Sequence, residues 1–295
     1  MNYFKKFLFV ISLLGFAFST GCSDGGDQTS EGKKTSAEAR YLTIKGSDTM
    51  VHLVSSWAEQ FMTDHPDADL SVTGGGSGTG IAALLNGTTD ICAASRKIKK
   101  KEMDLAASKG ISPVEYEVAL DGIAVVVNPA NPINELTLEE LRKIFTGAVS
   151  NWAQLGGPDK QILVMSRESS SGTFVFFQKL VLEKRDYTDK ALFMPGTSAI
   201  INNIVNDQWS IGYVGLGYTK DAKDKIKVVN VAAKKGSPAI IPSEISVKDG
   251  SYPIARPLFL YTAGPASGIK KDFIDFALNN SGQKIVRETG YVAIR

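Results

Sequence analysis

Short apolar runs rich in β-branched residues alternate with amphipathic segments along most of the chain. The runs predict strands at "YLTIKG", "LSVTGG", "IAVVVN", "QILVMS", "IGYVG", "IKVVNV" and "RPLFLYT". Apolar residues at helical spacing predict helices over residues 50–64, 99–109, 138–145, 174–183, 199–206 and 269–278. Because strands and helices alternate, we expect an α/β fold with largely parallel sheets.

Loops of one kind precede three of the predicted helices. They read "KGSDT", "TGGGSGTG" and "SRESSSGT", and each follows a predicted strand. A helix N-terminus has unpaired N–H groups and a partial positive charge, and glycine lets the backbone approach a ligand. In an open α/β sheet such loops meet at the carboxyl ends of the strands. Helix capping explains any single loop, but three loops together with Arg96 and Arg167 predict a site for a tetrahedral oxyanion.

Nucleotide-binding and catalytic motifs fit these loops poorly. "GGGSGTG" is not followed by the Lys-Ser/Thr pair of a P-loop, and its spacing is not that of the dinucleotide fingerprint. "GGSGT" lacks the final glycine of a nucleophile elbow. An exported serine hydrolase using Ser77 or Ser171 is the less favoured alternative, because neither His52 nor His65 is a credible base. We expect that the protein is not an enzyme and that it has no catalytic residue, metal site or cofactor.

The charge balance restricts the class of partner. The chain has 33 Lys and Arg residues against 31 Asp and Glu residues, and two of the basic residues, Lys5 and Lys6, lie in the N-terminal segment. Binding to nucleic acid needs an excess of basic side chains to neutralise phosphates. We therefore expect no nucleic-acid partner, and any bound anion must be held by local geometry.

The N-terminus predicts export. "MNYFKKFLFVISLLGFAFSTGC" has a basic start, a short apolar core and small residues before Cys22, which is the pattern of a signal peptide over residues 1–21 followed by a lipidated cysteine. A plain secreted protein is the alternative. Residues 22–40 are rich in glycine, serine and charge, and predict a flexible tether. We expect a periplasmic or cell-surface protein with a lipid anchor in a bacterial membrane, and Cys92 packed as a small buried side chain.

Five segments together resemble a known family. They are "IKGSDTM", "GGGSGTGIAALLNGTTDICAASR", "RESSSGTF", "IGYVGLGY" and "YPIARPLFLYT", in this order from about Tyr41 to the C-terminus. They resemble the phosphate-binding proteins of bacterial phosphate ABC transporters, the PstS family. The resemblance implies a type II periplasmic-binding-protein fold, in which two α/β lobes joined by two crossover segments close over the ligand. It also implies a monomer that captures inorganic phosphate and delivers it to an ABC permease.

The resemblance also implies lobe boundaries. Lobe one would comprise residues 41–120 and 230–295, and lobe two residues 121–229. The two crossings would fall near "DGIAVVVN" and "KIKVVNV".

Residues of the family site match residues of this chain one by one. In the first loop the family uses a threonine and the N–H that follows it, which match Thr49 and Met50. The family serine of the glycine-rich loop matches Ser77. In the third loop the family arginine matches Arg167. The Ser-Gly-Thr triplet of that loop matches Ser171, Gly172 and Thr173.

One position departs from the best-known members. Those place an aspartate, which accepts the proton on phosphate and excludes sulfate, where Ser95 and Arg96 stand here. A receptor or sensor for another tetrahedral oxyanion, such as sulfate, therefore remains an alternative function. Asp48 is the nearest candidate for a substitute acceptor, although it could merely cap its helix. The complete candidate site is Ser47, Asp48, Thr49, Met50, Ser77, Ser95, Arg96, Arg167, Ser171, Gly172 and Thr173.

Overall fold

The computed structural model describes residues 40–295. The expected signal peptide, Cys22 and the expected tether up to residue 39 lie outside the described residues. Arg40, expected as the last tether residue, already belongs to the first strand. Its guanidinium pairs with Asp67 at 2.7 Å and with Asp272 at 3.1 Å, so the folded body includes this residue.

Strands and helices alternate along the described residues. The strands are β1 (Arg40–Gly46), β2 (Ala68–Thr73), β3 (Ile91–Ala94), β4 (Val114–Val127), β5 (Glu135–Thr137), β6 (Leu163–Arg167), β7 (Leu192–Met194), β8 (Ser210–Gly215), β9 (Lys227–Ala232), β10 (Ala239–Ile240) and β11 (Ala255–Thr262). The helices are α1 (Val51–Asp64), α2 (Ser77–Leu85), α3 (Lys100–Ser108), α4 (Leu138–Phe145), α5 (Gly172–Leu180), α6 (Thr197–Asn206), α7 (Gly217–Asp221), α8 (Glu244–Lys248), α9 (Gly268–Leu278) and α10 (Asn280–Glu288). The α/β architecture and the predicted strands and helices are confirmed with small shifts at most ends, but β4 begins at Val114, nine residues before the predicted run "IAVVVN".

The strands form one mixed sheet in the order β2-β1-β3-β11-β4-β8-β6-β7. The outer pairs are parallel, as predicted: β1 pairs with β2 and β3, and β6 pairs with β7 and β8. The central pairs are antiparallel, since β11 runs against β3 and β4, and β4 runs against β8. The expectation of a largely parallel sheet is therefore wrong at the centre, where β4 and β11 carry the chain between two halves.

Strand β4 joins two hydrophobic cores. Its first part, up to Gly122, pairs with β11, and its second part, from Ile123, pairs with β8 and β9. The first core lies around Trp57 and Phe273, and the second around Phe145 and Tyr213. We call the parts of the chain around these cores the first lobe and the second lobe. A smaller cluster covers the other face of each half of the sheet, as period-2 alternation along the buried strands requires.

The stretch 230–254, expected in lobe one, packs on the second core. Val247, Tyr252 and Ile254 are buried there, and the Tyr252 hydroxyl donates to the carbonyl of Ile123 at 2.7 Å. The segment "KIKVVNV", expected as the second crossing, forms β9 and pairs with β4, β5 and β10 inside the second lobe. The chain returns to the first lobe only along β11. The sequence pattern does not reveal this because β9 and a crossing strand would be equally apolar.

No helix within residues 40–295 combines the length and the apolar character that a membrane crossing requires.

Candidate functional site

Three loops of the first lobe meet at a group of buried serines. Ser47 follows β1, Ser77 opens α2 and Ser95 follows β3, and each is at most 3% exposed. The Ser47 hydroxyl donates to the Ser95 Oγ at 2.9 Å, and the N–H of Ser95 donates to the Ser77 Oγ at 3.0 Å. We call these three residues the serine cluster. The loops converge because β1 and β3 are parallel neighbours whose carboxyl ends lie at the same edge.

The N-terminus of α5, from the second lobe, lies against the serine cluster. A Cβ atom on Gly172 would stand 2.5 Å from the Ser95 Oγ and closer still to the Ser77 Oγ. Only glycine therefore lets the start of this helix approach so closely. Ser171 caps the helix, since its Oγ accepts from the N–H of Thr173 at 3.1 Å. This bond uses an acceptor lone pair and leaves the Ser171 hydroxyl hydrogen to donate.

Side-chain and backbone hydrogen bonds connect the lobes directly. The Oγ1 atoms of Thr49 and Thr173 lie 2.7 Å apart, and the N–H of Gly78 donates to the carbonyl of Ser170 at 2.9 Å. The guanidinium of Arg256 donates to the Thr173 Oγ1 at 2.9 Å. Because Thr173 accepts from a guanidinium, its own hydroxyl hydrogen is oriented to donate.

Asp48 reaches from the first lobe to Arg167 in the second. Its Oδ1 lies 3.1 Å from the Arg167 Nη1 and accepts from the N–H and the hydroxyl of Thr197 at 2.7 and 2.8 Å. Arg167 is 2% exposed and also donates to Thr197 Oγ1 at 2.8 Å and to the carbonyl of Pro195 at 2.9 Å. The carboxylate of Asp48 thus binds across the two lobes and does not cap its own helix.

The N–H of Met50 donates to the carbonyl of Ser47 at 3.0 Å within a 3₁₀ turn. The ligand contact expected of Met50 therefore competes with this turn. The hydroxyl of Tyr291 donates to the carbonyl of Thr49, and the hydroxyl of Tyr218 donates to that of Asp48 at 2.9 Å. Burial raises the pKa of both tyrosines, so each stays a neutral donor that fixes the first loop.

Arg96 is already paired with a carboxylate. Its two terminal nitrogens donate to the two oxygens of Glu102 at 2.8 and 2.7 Å. Burial opposes ionisation of Glu102, but the bonds from Arg96 and from the N–H of Lys99 outweigh it and lower the pKa of Glu102. The charge of Arg96 is therefore balanced by Glu102, although Arg96 is next in sequence to Ser95 of the serine cluster.

Arg256 lies outside the motifs that predict the site, yet it is the second guanidinium at the loops. It is 3% exposed and donates to the carbonyl of Ser95 at 2.9 Å as well as to Thr173. Its charge is balanced by Asp121 at 2.9 Å, and Asp121 also accepts from the N–H of Leu216 at 2.9 Å. Burial raises the pKa of Asp121, and the charge of Arg256 opposes that rise.

A signal for this pair exists in the sequence. "VALDGIAVVV" has one carboxylate and "YPIARPLF" has one guanidinium, each inside an otherwise apolar strand. A lone charge in a buried strand is expected to have a partner of opposite sign.

The arrangement suits anion binding. It brings together hydroxyl donors, a helix N-terminus and two buried guanidiniums. Among residues 40–295 no group of three or more His, Cys, Asp or Glu side chains could hold a metal ion. His52 packs edge-on against Tyr218, and His65 packs against Phe61. Cys92 is buried, and burial raises the pKa of its thiol, so it is a packing residue.

Fold and site together define the class of two-lobed substrate-binding proteins. A model of the PBP superfamily domain matches residues 31–281. The chain is 34% identical over 292 residues to the phosphate-binding protein PstS of Staphylococcus haemolyticus (strain JCSC1435), which covers 96% of this chain and 90% of that protein. It is also 34% identical over 296 residues to PstS of Staphylococcus aureus (strain USA300), covering 98% of this chain and 88% of the relative.

Solved structures agree. The crystal structure, with bound phosphate, of a protein assigned as a phosphate ABC transporter substrate-binding protein from Clostridium perfringens has a TM-score of 0.77 at 30% identity, covering 87% of this chain and 100% of that one. An ABC-type phosphate transport receptor from Vibrio cholerae has a TM-score of 0.68 at 29% identity, covering 86% and 99%. The chain therefore belongs to the PBP superfamily and, within it, to the PstS family of phosphate-binding proteins. The type II fold and the family predicted from the sequence are confirmed.

Proposed function

We propose that this protein captures inorganic phosphate between its lobes and delivers it to an ABC transporter permease, without catalysing a reaction. The observation that carries the proposal is the convergence of donors from both lobes on one point. The serine cluster, the N-terminus of α5 and the hydroxyls of Thr49 and Thr173 meet there. Arg256 donates to Thr173, and Arg167 pairs with Asp48, the residue before Thr49. Neutral donors and fixed guanidiniums are the groups that hold a buried phosphate.

Within this site we assign roles to the residues of α5 and its loop. Ser171 and Thr173 donate hydroxyls, Gly172 donates its N–H, and Arg167 supplies the positive charge. Arg256 holds the Thr173 hydroxyl as a donor. Ser77 contributes from the first lobe, and the remaining serines of the cluster position it.

Asp48 has two tasks in the proposed site. Its Oδ1 fixes Arg167 and Thr197 across the lobes, which favours the closed arrangement. Its Oδ2 is left to accept the proton of monohydrogen phosphate. Sulfate has no such proton and would leave a carboxylate facing an anion, so it is rejected. The Arg96–Glu102 pair supports this proposal, because a neutralised arginine gives sulfate no additional attraction.

The lobe boundaries follow the packing. We propose that lobe one comprises residues 40–120 and 255–295 and that lobe two comprises residues 121–254, with crossings at the middle of β4 and the start of β11. We further propose that Cys22 carries a lipid that anchors a monomer outside the cytoplasm, next to its permease.

Calorimetric titration of the chain from residue 23 onward, freed of endogenous ligand, tests the function. We expect one phosphate to bind at micromolar or tighter affinity and sulfate to produce no heat. Equal binding of both anions would retain the site and contradict the role of Asp48. Absence of binding by either anion would overturn the proposed function.

A further inference from the structure

A second cavity lies next to the proposed phosphate site. Its volume is about 330 Å³, and it is bounded by the loop after β3, by one side of α5 and by the start of β11. Its lining residues are Ser95, Arg96, Lys97, Ile98, Lys99, Val175, Phe176, Lys179, Arg256, Pro257 and Phe259. Ser95 and Arg256 take part in both places, so the cavity adjoins the site where the lobes meet.

The charged side chains that line this cavity are all positive. Five lining residues are Lys or Arg, and no Asp or Glu lines it. Arg96, Lys97 and Arg256 have carboxylate partners at 2.7, 3.2 and 2.9 Å. Lys99 and Lys179 make no ion pair with any residue in the described part of the chain. We call these two residues the lysine pair.

Partial burial destabilises the charged form of Lys99, so a nearby negative charge would stabilise it. Partial burial and the neighbouring charge of Arg96 lower the pKa of Lys99, and the carboxylate of Glu102, which is itself paired with Arg96, only partly opposes this lowering. Both effects disfavour the ammonium, and a carboxylate brought close to it would oppose both. The cavity therefore favours an occupant that has negative charge.

The rest of the lining is apolar. Val175, Phe176, Pro257 and Phe259 supply this surface. The guanidinium of Arg256 lies 5.3 Å from the ring centre of Phe176, and Lys97 Nζ lies 5.7 Å from that of Phe259. An occupant that matches the cavity thus combines a carboxylate with an adjacent apolar group.

The lysine pair spans the two lobes. Lys99 belongs to the loop before α3 in the first lobe, and Lys179 belongs to α5 in the second. They face one cavity only in the closed arrangement, which the Thr49–Thr173 and Gly78–Ser170 bonds stabilise. Separation of the lobes would divide the cavity and its charge.

We propose that this cavity is a docking site for an acidic side chain, with an apolar neighbour, on an extracytoplasmic segment of the permease. The inference rests on the proposed function and adds to it the surface through which closure is recognised. A partner that contacts Lys99 and Lys179 together binds the closed form more tightly than the open form. A small free anion is a poorer occupant, because it would leave the apolar lining of Val175, Phe176 and Phe259 uncovered. A permease segment held at the same membrane surface acts at high effective concentration.

Charge reversal of the lysine pair tests the proposal. The double variant Lys99→Glu/Lys179→Glu should bind phosphate with a Kd within about twofold of the wild-type value. Uptake of radiolabelled phosphate by cells that produce it in place of the wild type should fall by about tenfold or more, because like charges would meet at the interface. Lys99→Arg/Lys179→Arg should retain uptake. Lys248→Glu, at the exposed end of helix α8, is the control and should behave as wild type.

The possible outcomes distinguish a failure of the docking proposal from a failure of the proposed phosphate capture. Normal uptake by the charge-reversed variant would overturn the docking site while leaving phosphate capture intact. A parallel loss of phosphate affinity would also overturn it, since the lysines would then serve the cleft. Saturable binding of pyrophosphate to the phosphate-loaded protein, lost in the charge-reversed variant, would assign the cavity to a small anion instead. Failure of the wild type to bind phosphate would overturn the proposed function itself.

Discussion

Two arginine–aspartate pairs lie beside the same group of loops, and their surroundings differ. Asp48 and Arg167 come from different lobes, and the carboxylate is 25% exposed. Asp121 and Arg256 are opposite each other on the paired strands β4 and β11, and their side chains are 0% and 1% exposed. In the proposed opening of the lobes the first pair would separate, whereas the second pair lies on two strands that are paired with each other.

The two pairs have the same charged groups, but we expect them to have different roles. A buried ion pair recovers little net stability, because desolvation offsets the attraction, but removal of one partner strands the other charge. A pair at a moving interface instead changes the relative stability of two arrangements. We therefore expect changes at the Asp121–Arg256 pair to affect mainly folding, and changes at the Asp48–Arg167 pair to affect mainly binding.

Asp121→Ala should produce the largest loss of stability. It leaves the Arg256 guanidinium buried without a counter-charge, at a cost of about 3–5 kcal/mol. The free energy of unfolding in urea measures it. Asp48→Ala is the matched variant and should cost less than Asp121→Ala, since the Asp48 carboxylate is 25% exposed and the Arg167 guanidinium keeps its bonds to Thr197 and Pro195. Similar losses in the two variants would show that burial does not distinguish the pairs.

Arg167→Ala should produce the largest loss of phosphate binding. It removes a charge-assisted contact, and we expect a loss of roughly 2–5 kcal/mol in binding free energy by calorimetry. Arg167→Lys keeps the charge but loses the planar fork, so it should recover only part of the affinity. Normal phosphate affinity in the alanine variant would contradict the assignment of the site.

Thr173→Ala should weaken binding by a smaller amount. Loss of one hydroxyl donor costs about 0.5–1.5 kcal/mol, or up to about 3 if a phosphate oxygen is left unpaired. Thr173→Ser retains the hydroxyl and is the control. Titration of both variants with phosphate separates the hydroxyl from the methyl group. Equal weakening in the serine variant would mean that packing, and not the donor held by Arg256, is responsible.

Glu102→Gln should have the smallest effect, and that effect should depend on pH. The folded-state pKa of Glu102 lies below its ordinary value of 4.5. Its contribution to stability is therefore present above pH 4.5 and is lost as the pH falls through the folded-state pKa. The variant should be less stable than the wild type at neutral pH, and urea unfolding should show the difference shrinking in acid. A constant difference would contradict the Arg96–Glu102 pairing as its cause.

The loops could be predicted from the sequence because their signals are local. "KGSDT", "TGGGSGTG" and "SRESSSGT" each follow a strand and precede a helix, and the structure places them together. The roles of Asp48 and Arg96 could not be predicted in this way. In the sequence alone, each of these side chains could pair with more than one residue. The structure shows that Asp48 contacts Thr197 and Arg167 and that Arg96 pairs with Glu102.

The junction between the lobes, at Asp121 and Arg256, could not be predicted from the sequence either. Arg256 lies 135 residues from Asp121 along the chain, and the sequence of neither strand identifies the strand that it pairs with. The assignment of residues 230–254 depends on similar long-range pairing, of β9 with β4 and β5. An apolar strand satisfies either lobe equally well, so composition and periodicity leave the choice open.

Sequence alone reveals the alternation of strands and helices, the three loops that favour an anion and the membership of the family. These follow from residue types at short spacing, where local backbone preference and hydrophobic periodicity act directly. The three-dimensional packing establishes which carboxylate neutralises which arginine, which core residues 230–254 pack against and where two distant lysines line one cavity. Those outcomes depend on distances between segments far apart in the chain, which packing of the whole fold sets.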